Sequence, residues 1–306
     1  MAGEAMPYAI GIDIGVTNVK SVCVTEAGEM LSQQQIATEA EDPKWPERVR
    51  GHLAELQAMR GAAAQWLGIA APGMARADGV CISWMEGRLE EVQGLDWTEF
   101  LGWPTFVPVL NDAQAALLGE VWKGAAAGTK NAILLTLGTG VGGAVLCDGR
   151  MLKGHLGRAG HVGHAALDID GVPDVTNCPG SLEVQMGNYT IKDRSRGRFE
   201  TTHELVAAYN AGDAFAAEVW LRSVKYLAAA IASFVNILDP EMVIIGGGIA
   251  ISGPALFNPL EEYLAKFEWR PHGHRARIVR AALGEHAGAL GAAYNAIRHS
   301  REGGAA

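Results

Sequence analysis

Two histidines, His161 and His164, stand three apart in the Gly-rich stretch RAGHVGH, residues 158–164. An imidazole there can ligate a metal, carry a proton, contact a ligand or simply face water. A second candidate is the Asn111-Asp112 pair in VLNDAQAALLGE (109–120), where an apolar run gives way to a stretch rich in Ala and Leu. Asp112 reads as a cap or first-turn residue of a helix, or as a general base at the mouth of a cleft. A third is Asp13, which ends an apolar strand and leads into the turn GVTN. An acid beside a phosphate is repulsive unless it holds Mg2+, often through water.

That turn has relatives within the chain. DIGVTN (13–18), GTGVGG (138–143) and GGG (246–248) are all Gly-containing turns next to apolar strands. Such turns expose backbone N–H groups without Cβ obstruction, so they can cradle phosphate. Gly15, Thr17 and Asn18 would serve one phosphate group, and Gly138, Thr139 and Gly140 another. Gly246, Gly247 and Gly248 follow the strand MVIIG, where an adenine or ribose can lie against the backbone. Each turn alone is a common hairpin feature. Neither G-x-x-x-x-G-K-[ST] nor a helix-opening G-x-G-x-x-G is present, so a Walker loop and a dinucleotide fingerprint are disfavoured.

The elements that must hold these residues come in two copies. YAIGIDIGVTNVKSVCV (8–24) aligns with NAILLTLGTGVGGAVLC (131–147), Gly15 falling on Gly138. Each predicts a β-hairpin followed by a further short strand, near Met30 and near Met151. After the first come a helix over 46–60 and strands over 66–71 and 105–110. After the second come helices over 203–211 and 214–237 and a strand over 242–246. Two hairpins can share composition by chance, but this order of elements favours a duplicated α/β fold with a cleft between its halves.

Composition narrows the function. The chain has 306 residues, 49% of them hydrophobic and 19% charged, enough for a large core. A net charge of -9 argues against a general nucleic-acid surface. Cys23, Cys81, Cys147 and Cys178 form no C-x-x-C pair and read as reduced, mostly buried thiols. The N-terminal segment lacks a basic stretch before its apolar run, so no secretory signal is expected. YLAAAIASFVNIL (226–238) is too short to span a bilayer and reads as a buried helix. A cytoplasmic protein without a membrane partner is expected.

With these motifs in order, the chain resembles the ROK family of sugar kinases, in the actin–hexokinase–heat-shock ATPase superfamily. DIGVTN is similar to that family's first phosphate motif, GTGVGG to its second, and VIIGGGIA (243–250) to its adenosine motif. The resemblance covers nearly the whole chain. It implies two ribonuclease-H-like α/β domains around a central cleft. The first would span 1–115 plus a C-terminal helix over about 286–302, and the second 116–285. It implies ATP and Mg2+ as cofactors, a hexose as substrate and a homodimer. It also implies Asp112 as the base, Asn111, His161, His164 and Glu183 as sugar contacts, and Asp13 as the Mg2+ position. Family repressors carry an added helix-turn-helix. The first phosphate strand begins near residue 8 here, which favours the enzyme branch. A non-catalytic sugar sensor and a polyphosphate-using kinase are the alternatives.

Some residues depart from the family pattern. His161 stands where a sugar-binding Glu is usual. A carboxylate accepts from two hydroxyls, whereas a neutral imidazole offers one donor and one acceptor, so the sugar preference should change. The family commonly holds a structural zinc with the His164 equivalent and three cysteines. Those cysteine positions are Asp174, Thr176 and Ser181 here. Cys178 matches none of them, and no zinc is expected. Val16 and Asn18 replace a common Gly and Lys. Gly87 and Arg88 are weaker candidates for sugar contact.

Overall fold

The structure, a computed structural model, describes residues 6–87 and 89–303. The first hairpin is β1 (Tyr8–Ile14) and β2 (Asn18–Thr25), followed by β3 (Met30–Ala37), α1 (Trp45–Arg60) and β4 (Trp66–Ala71). A small hairpin, β5 (Met74–Ala75) and β6 (Ile82–Trp84), leads to α2 (Trp97–Leu101), β7 (Val109–Asn111) and α3 (Asp112–Lys123). The second hairpin is β8 (Ala132–Leu137) and β9 (Val141–Cys147), then β10 (Arg150–Met151). Next come α4 (Leu182–Met186), α5 (Ile191–Arg194), α6 (Thr202–Asn210), α7 (Ala214–Leu238), β11 (Met242–Gly246), α8 (Pro254–Phe267), β12 (Arg277–Arg280) and α9 (Ala287–Gly303).

The duplication is a repeat of topology as well as sequence. One five-stranded sheet has the order β3-β2-β1-β4-β7, the other β10-β9-β8-β11-β12. In each, the first three strands pair antiparallel and the last two add on in parallel. The hairpin register puts Ile14 opposite Val19 in one copy and Leu137 opposite Val141 in the other. Both Gly turns therefore emerge from the same end of equivalent central strands.

Two strands differ from expectation. The run 105–110 supplies only the three-residue β7, because Pro108 has no N–H to give a ladder. Its carbonyl instead receives Ile69 N at 3.1 Å. β12 was not foreseen. It pairs in parallel with β11 from Arg277 to Arg280. Its sequence, RIVR, is charged at both ends and half exposed, so no apolar run announces it.

Among the described residues, one compact unit takes in the chain up to Gly128, Lys153–Ala159 and everything from Ala282. The other comprises Thr129–Leu152 and Gly160–Ala281. The division thus falls after α3, rather than at 115, because α3 packs on α9. The approach is so close that a Cβ on Gly291 would lie 1.7 Å from the Ala115 carbonyl oxygen. The core of the first unit includes Ile10, Ile12, Trp45, Leu67, Ile69 and Trp97. That of the second includes Ile133, Leu135, Trp220, Leu227, Ile231 and Val243.

The apolar run 226–238 is the end of the 25-residue α7. By length and composition alone α7 could cross a membrane, yet half of its apolar window is buried within the unit. Trp220, Val224, Leu227 and Ile231 are fully buried core residues. Of the four free cysteines only Cys23 and Cys81 are buried; Cys147 is exposed and Cys178 half-buried.

Candidate functional site

In the first unit the chemistry gathers where β1 and β7 end. Asn111, not Asp112, is the N-cap of α3. Its Oδ1 accepts from Ala113 N at 2.9 Å, and Gln114 Oε1 accepts from Asn111 N to complete a capping box. Asn111 Nδ2 donates to Gly73 O at 2.8 Å, tying the turn after β4 to the helix start. Asp112 takes the first helical position, and its own Oδ1 accepts from Ala113 N at 2.7 Å. Solvent reaches Asp112, but surrounding protein desolvates its carboxylate and raises its pKa against the opposing effect of the Ala113 N–H and Asn111.

Asp13 sits in β1 opposite Lys20 of β2. Burial first, then the Asp112 charge, pushes its pKa up to about 7, with Lys20 opposing. Gly288 of α9 leaves room for this carboxylate: a Cβ there would lie 2.3 Å from Asp13 Oδ2. Gly288 did not stand out in the sequence, since nothing local marks a helical glycine as a neighbour of a residue 275 positions earlier. The turn after Asp13 is closed by Gly15 N donating to Asn18 O at 2.9 Å. Thr38 holds it from outside, its hydroxyl donating to Gly15 O at 2.7 Å. Thr17 is exposed and half-buried Asn18 opens β2.

The second unit carries the other two turns. Gly138 N donates to Gly140 O at 3.0 Å, and the turn is braced by Asn188 N to Gly138 O and Tyr189 N to Thr139 O, both 3.0 Å. Glu183, in the first turn of α4, accepts from Val141 N at 2.9 Å. A Cβ on Gly140 would lie 2.2 Å from Glu183 Oε2, so this glycine admits the carboxylate. Half-buried Arg194 ties the following segment together by donating to Gly187 O and Thr190 Oγ1. Gly247 has φ 85° and packs on β8, its Cβ position 2.3 Å from Leu137 O. The third glycine turn therefore abuts the strand that leads into the second. Gly138 and Gly248 face open space.

His161 and His164 bracket a short 3-10 turn, Val162–His164. His161 Nε2 is buried with no hydrogen-bond partner. Burial, and then the neighbouring His164, hold its pKa below the usual imidazole range. His164 Nδ1 meets Asp174 Oδ2 at 2.8 Å. Among the described residues His164, Asp174 and Glu183 bring ligand-type atoms within 4.8 Å of one another. Two of those groups are bonded to each other. Thr176, a further position expected to carry cysteine in the family pattern, donates to Asp174 Oδ1 at 2.8 Å through both its hydroxyl and its N–H. Cys178 N donates to the same oxygen at 3.0 Å.

Asp174 and Glu120 are the residues that sequence reasoning missed. The wholly buried Glu120 accepts from Ala282 N and Leu283 N through Oε1, and from Ala125 N through Oε2. Of the weaker candidates, Gly87 N donates to Glu90 Oε1 at 3.1 Å. Arg88 lies outside the described residues.

Known proteins resemble this chain over nearly its whole length. The chain is 33% identical over 308 residues to the glucokinase of Thermotoga maritima, covering 93% of this chain and 95% of that one. It is 30% identical over 319 residues to the glucokinase of Halalkalibacterium halodurans, covering 93% of each. The ROK hexokinase of Thermus thermophilus superposes with a TM-score of 0.84 at 28% identity, over 96% of this chain and 99% of that one. This two-domain architecture is the actin-like ATPase fold of ROK sugar kinases. The ROK family model matches residues 9–299, and the chain belongs to the ROK family.

Proposed function

We propose that the chain is an ATP- and Mg2+-dependent kinase that phosphorylates a hexose or hexose derivative, at the 6-hydroxyl. The observation that carries this reading is the pair of carboxylates in one unit, Asp13 and Asp112, both pushed upward and the first raised partly by the second. The two acids suit different tasks. A carboxylate with a raised pKa is a better acceptor for the proton of an attacking hydroxyl, so Asp112 is the base. A desolvated carboxylate beside another gains from a hard cation, and its oxygens are the donors Mg2+ prefers, so Asp13 holds the metal, through water. Bound nucleotide supplies the phosphoryl group, and the cation the charge neutralisation that lets it transfer.

The remaining residues bind and orient. Gly15, Thr17 and Asn18, with Gly138, Thr139 and Gly140, offer N–H and hydroxyl donors to phosphate oxygens. Gly246, Gly247 and Gly248 give the adenosine a Cβ-free surface. Asn111, His161, His164 and Glu183 hold the sugar. The unpartnered Nε2 of His161 supports this, since a buried polar atom without a partner costs about 1–3 kcal/mol until something meets it. Family membership makes a cytoplasmic homodimer the expected form.

The test is a coupled ADP-release assay over hexoses, amino sugars, ketoses and anhydro sugars. Asp112→Asn should keep sugar binding by calorimetry and lose about 10²–10⁴-fold in kcat. Near-normal turnover in that variant would overturn the assignment. Sugar binding without ATP consumption would point to a sensor, and a preference for polyphosphate in a donor competition to the other kinase class.

A further inference from the structure

The buried carboxylate of Asp174 is crowded with donors. Its Oδ1 takes the Thr176 N–H and hydroxyl and the Cys178 N–H. Its Oδ2 faces His164 Nδ1 at 2.8 Å, and the Ser181 hydroxyl also favours the ionised carboxylate. The side chain is fully buried, while the His164 ring is partly exposed. Burial alone would raise the Asp174 pKa, but the bonds from His164, Ser181, Thr176 and Cys178 hold it well below the usual carboxylate range. An ionised carboxylate only accepts. The shared hydrogen must therefore sit on His164 Nδ1.

We propose that Asp174 is a positioning residue that keeps the His164 proton on Nδ1, so that the ring in its neutral form presents a lone pair at Nε2 and accepts a hydrogen bond from a substrate hydroxyl or amine. This rests on the reading of His164 as a sugar contact. A sugar position seen by His164 must then carry a donor. A fluorine or methoxy group there meets lone pair against lone pair. Glu183, which accepts as well and lies beside the ring, makes the local surface rich in acceptors.

Asp174→Asn is a sharp test. The three donors on Oδ1 require the amide oxygen to stay where it is. The amide nitrogen then replaces Oδ2 and donates toward Nδ1, which forces the His164 proton to Nε2. The full chain labelled with 15N-histidine is studied at about pH 8, above the ordinary imidazole range. His164→Gln assigns the resonances. Two-bond 15N–1H correlations should show Nδ1–H for His164 in the wild type and Nε2–H in Asp174→Asn, without any sugar present. Kinetically, the variant should raise KM for glucose about tenfold with a smaller change in kcat. Across the monodeoxyfluoro glucoses, one isomer should be used better by the variant than by the wild type. An Nε2–H ring in the wild type overturns the proposal, even if the variant does not fold. So does a tautomer that switches while KM stays unchanged for glucose and for every fluoro analogue. Failure of the wild type to phosphorylate any sugar sinks the kinase reading instead, and leaves the tautomer measurement standing.

Discussion

The Glu183 carboxylate accepts a 2.9 Å hydrogen bond from the backbone N–H of Val141, the residue that closes the second glycine turn. A side chain assigned to the sugar thus also shapes a loop assigned to phosphate. Glu183→Ala should raise KM for glucose and for ATP together, each by roughly tenfold or more. Glu183→Gln keeps an oxygen for Val141 and should affect glucose far more than ATP. Initial rates with each substrate varied separately decide this. An alanine variant whose ATP KM is unchanged would break the link between turn and carboxylate.

Asp13 makes a pH-dependent prediction. Its folded-state pKa, about 7, lies above the ordinary 3.8, chiefly through burial and then Asp112, against Lys20. The neutral acid is favoured by the fold, so its stabilising contribution is complete below the ordinary value and is lost as pH rises through about 7. In metal-free buffer, Asp13→Asn should therefore gain in melting temperature over the wild type as pH goes from about 5 to 8. The same variant should be close to inactive. Parallel melting curves across that range would contradict the burial argument.

His161 is the residue to change first for specificity. Its unpartnered Nε2 has room for one hydrogen bond, whereas a carboxylate there accepts from two neighbouring hydroxyls. His161→Glu should reorder the sugars in the ADP-release screen, with the ratio of kcat/KM between the best two moving by about tenfold or more. An unchanged ranking would remove His161 from the sugar site.

Glu120 should matter for stability rather than for substrate. Its carboxylate satisfies three backbone N–H groups from two separate segments, Ala125 and Ala282–Leu283. Glu120→Ala should cost at least about 2 kcal/mol in denaturant unfolding, because buried donors lose their partner. Glu120→Gln keeps an acceptor for one segment and should cost less. Equal, negligible losses in both variants would mean that water replaces the carboxylate freely.

Much of this was legible in the sequence because the repeat is written in local pattern. Apolar strand, Gly turn and apolar strand recur in order, and the paired sheets follow from them. β7 came out shorter than expected since a proline interrupts donation, and β12 was hidden because a half-exposed edge strand needs little apolar character. α3 packs with α9, a contact between residues far apart in the chain that local pattern does not announce. Asp112 could be read as cap or base from its neighbours, but only the geometry hands the capping to Asn111. Asp174 looked like a missing cysteine and nothing more. That one carboxylate gathers a ring nitrogen, hydroxyls and amides depends on a folded loop that residue types alone do not describe.

The return of α9 to the sheet of the first unit has a consequence for how that unit closes. β1, β2, β4 and α3 all pack against that helix, so the unit joins segments that lie far apart in the chain, with Thr129–Leu152 and Gly160–Ala281 of the second unit intervening. At Gly11, Gly68 and Gly119 the α9 backbone comes so close that a Cβ would lie 1.9, 2.0 and 2.4 Å from its carbonyl oxygens. Closing so long a loop costs chain entropy before the contacts repay it, so docking of α9 is expected to be a slow step in folding the first unit.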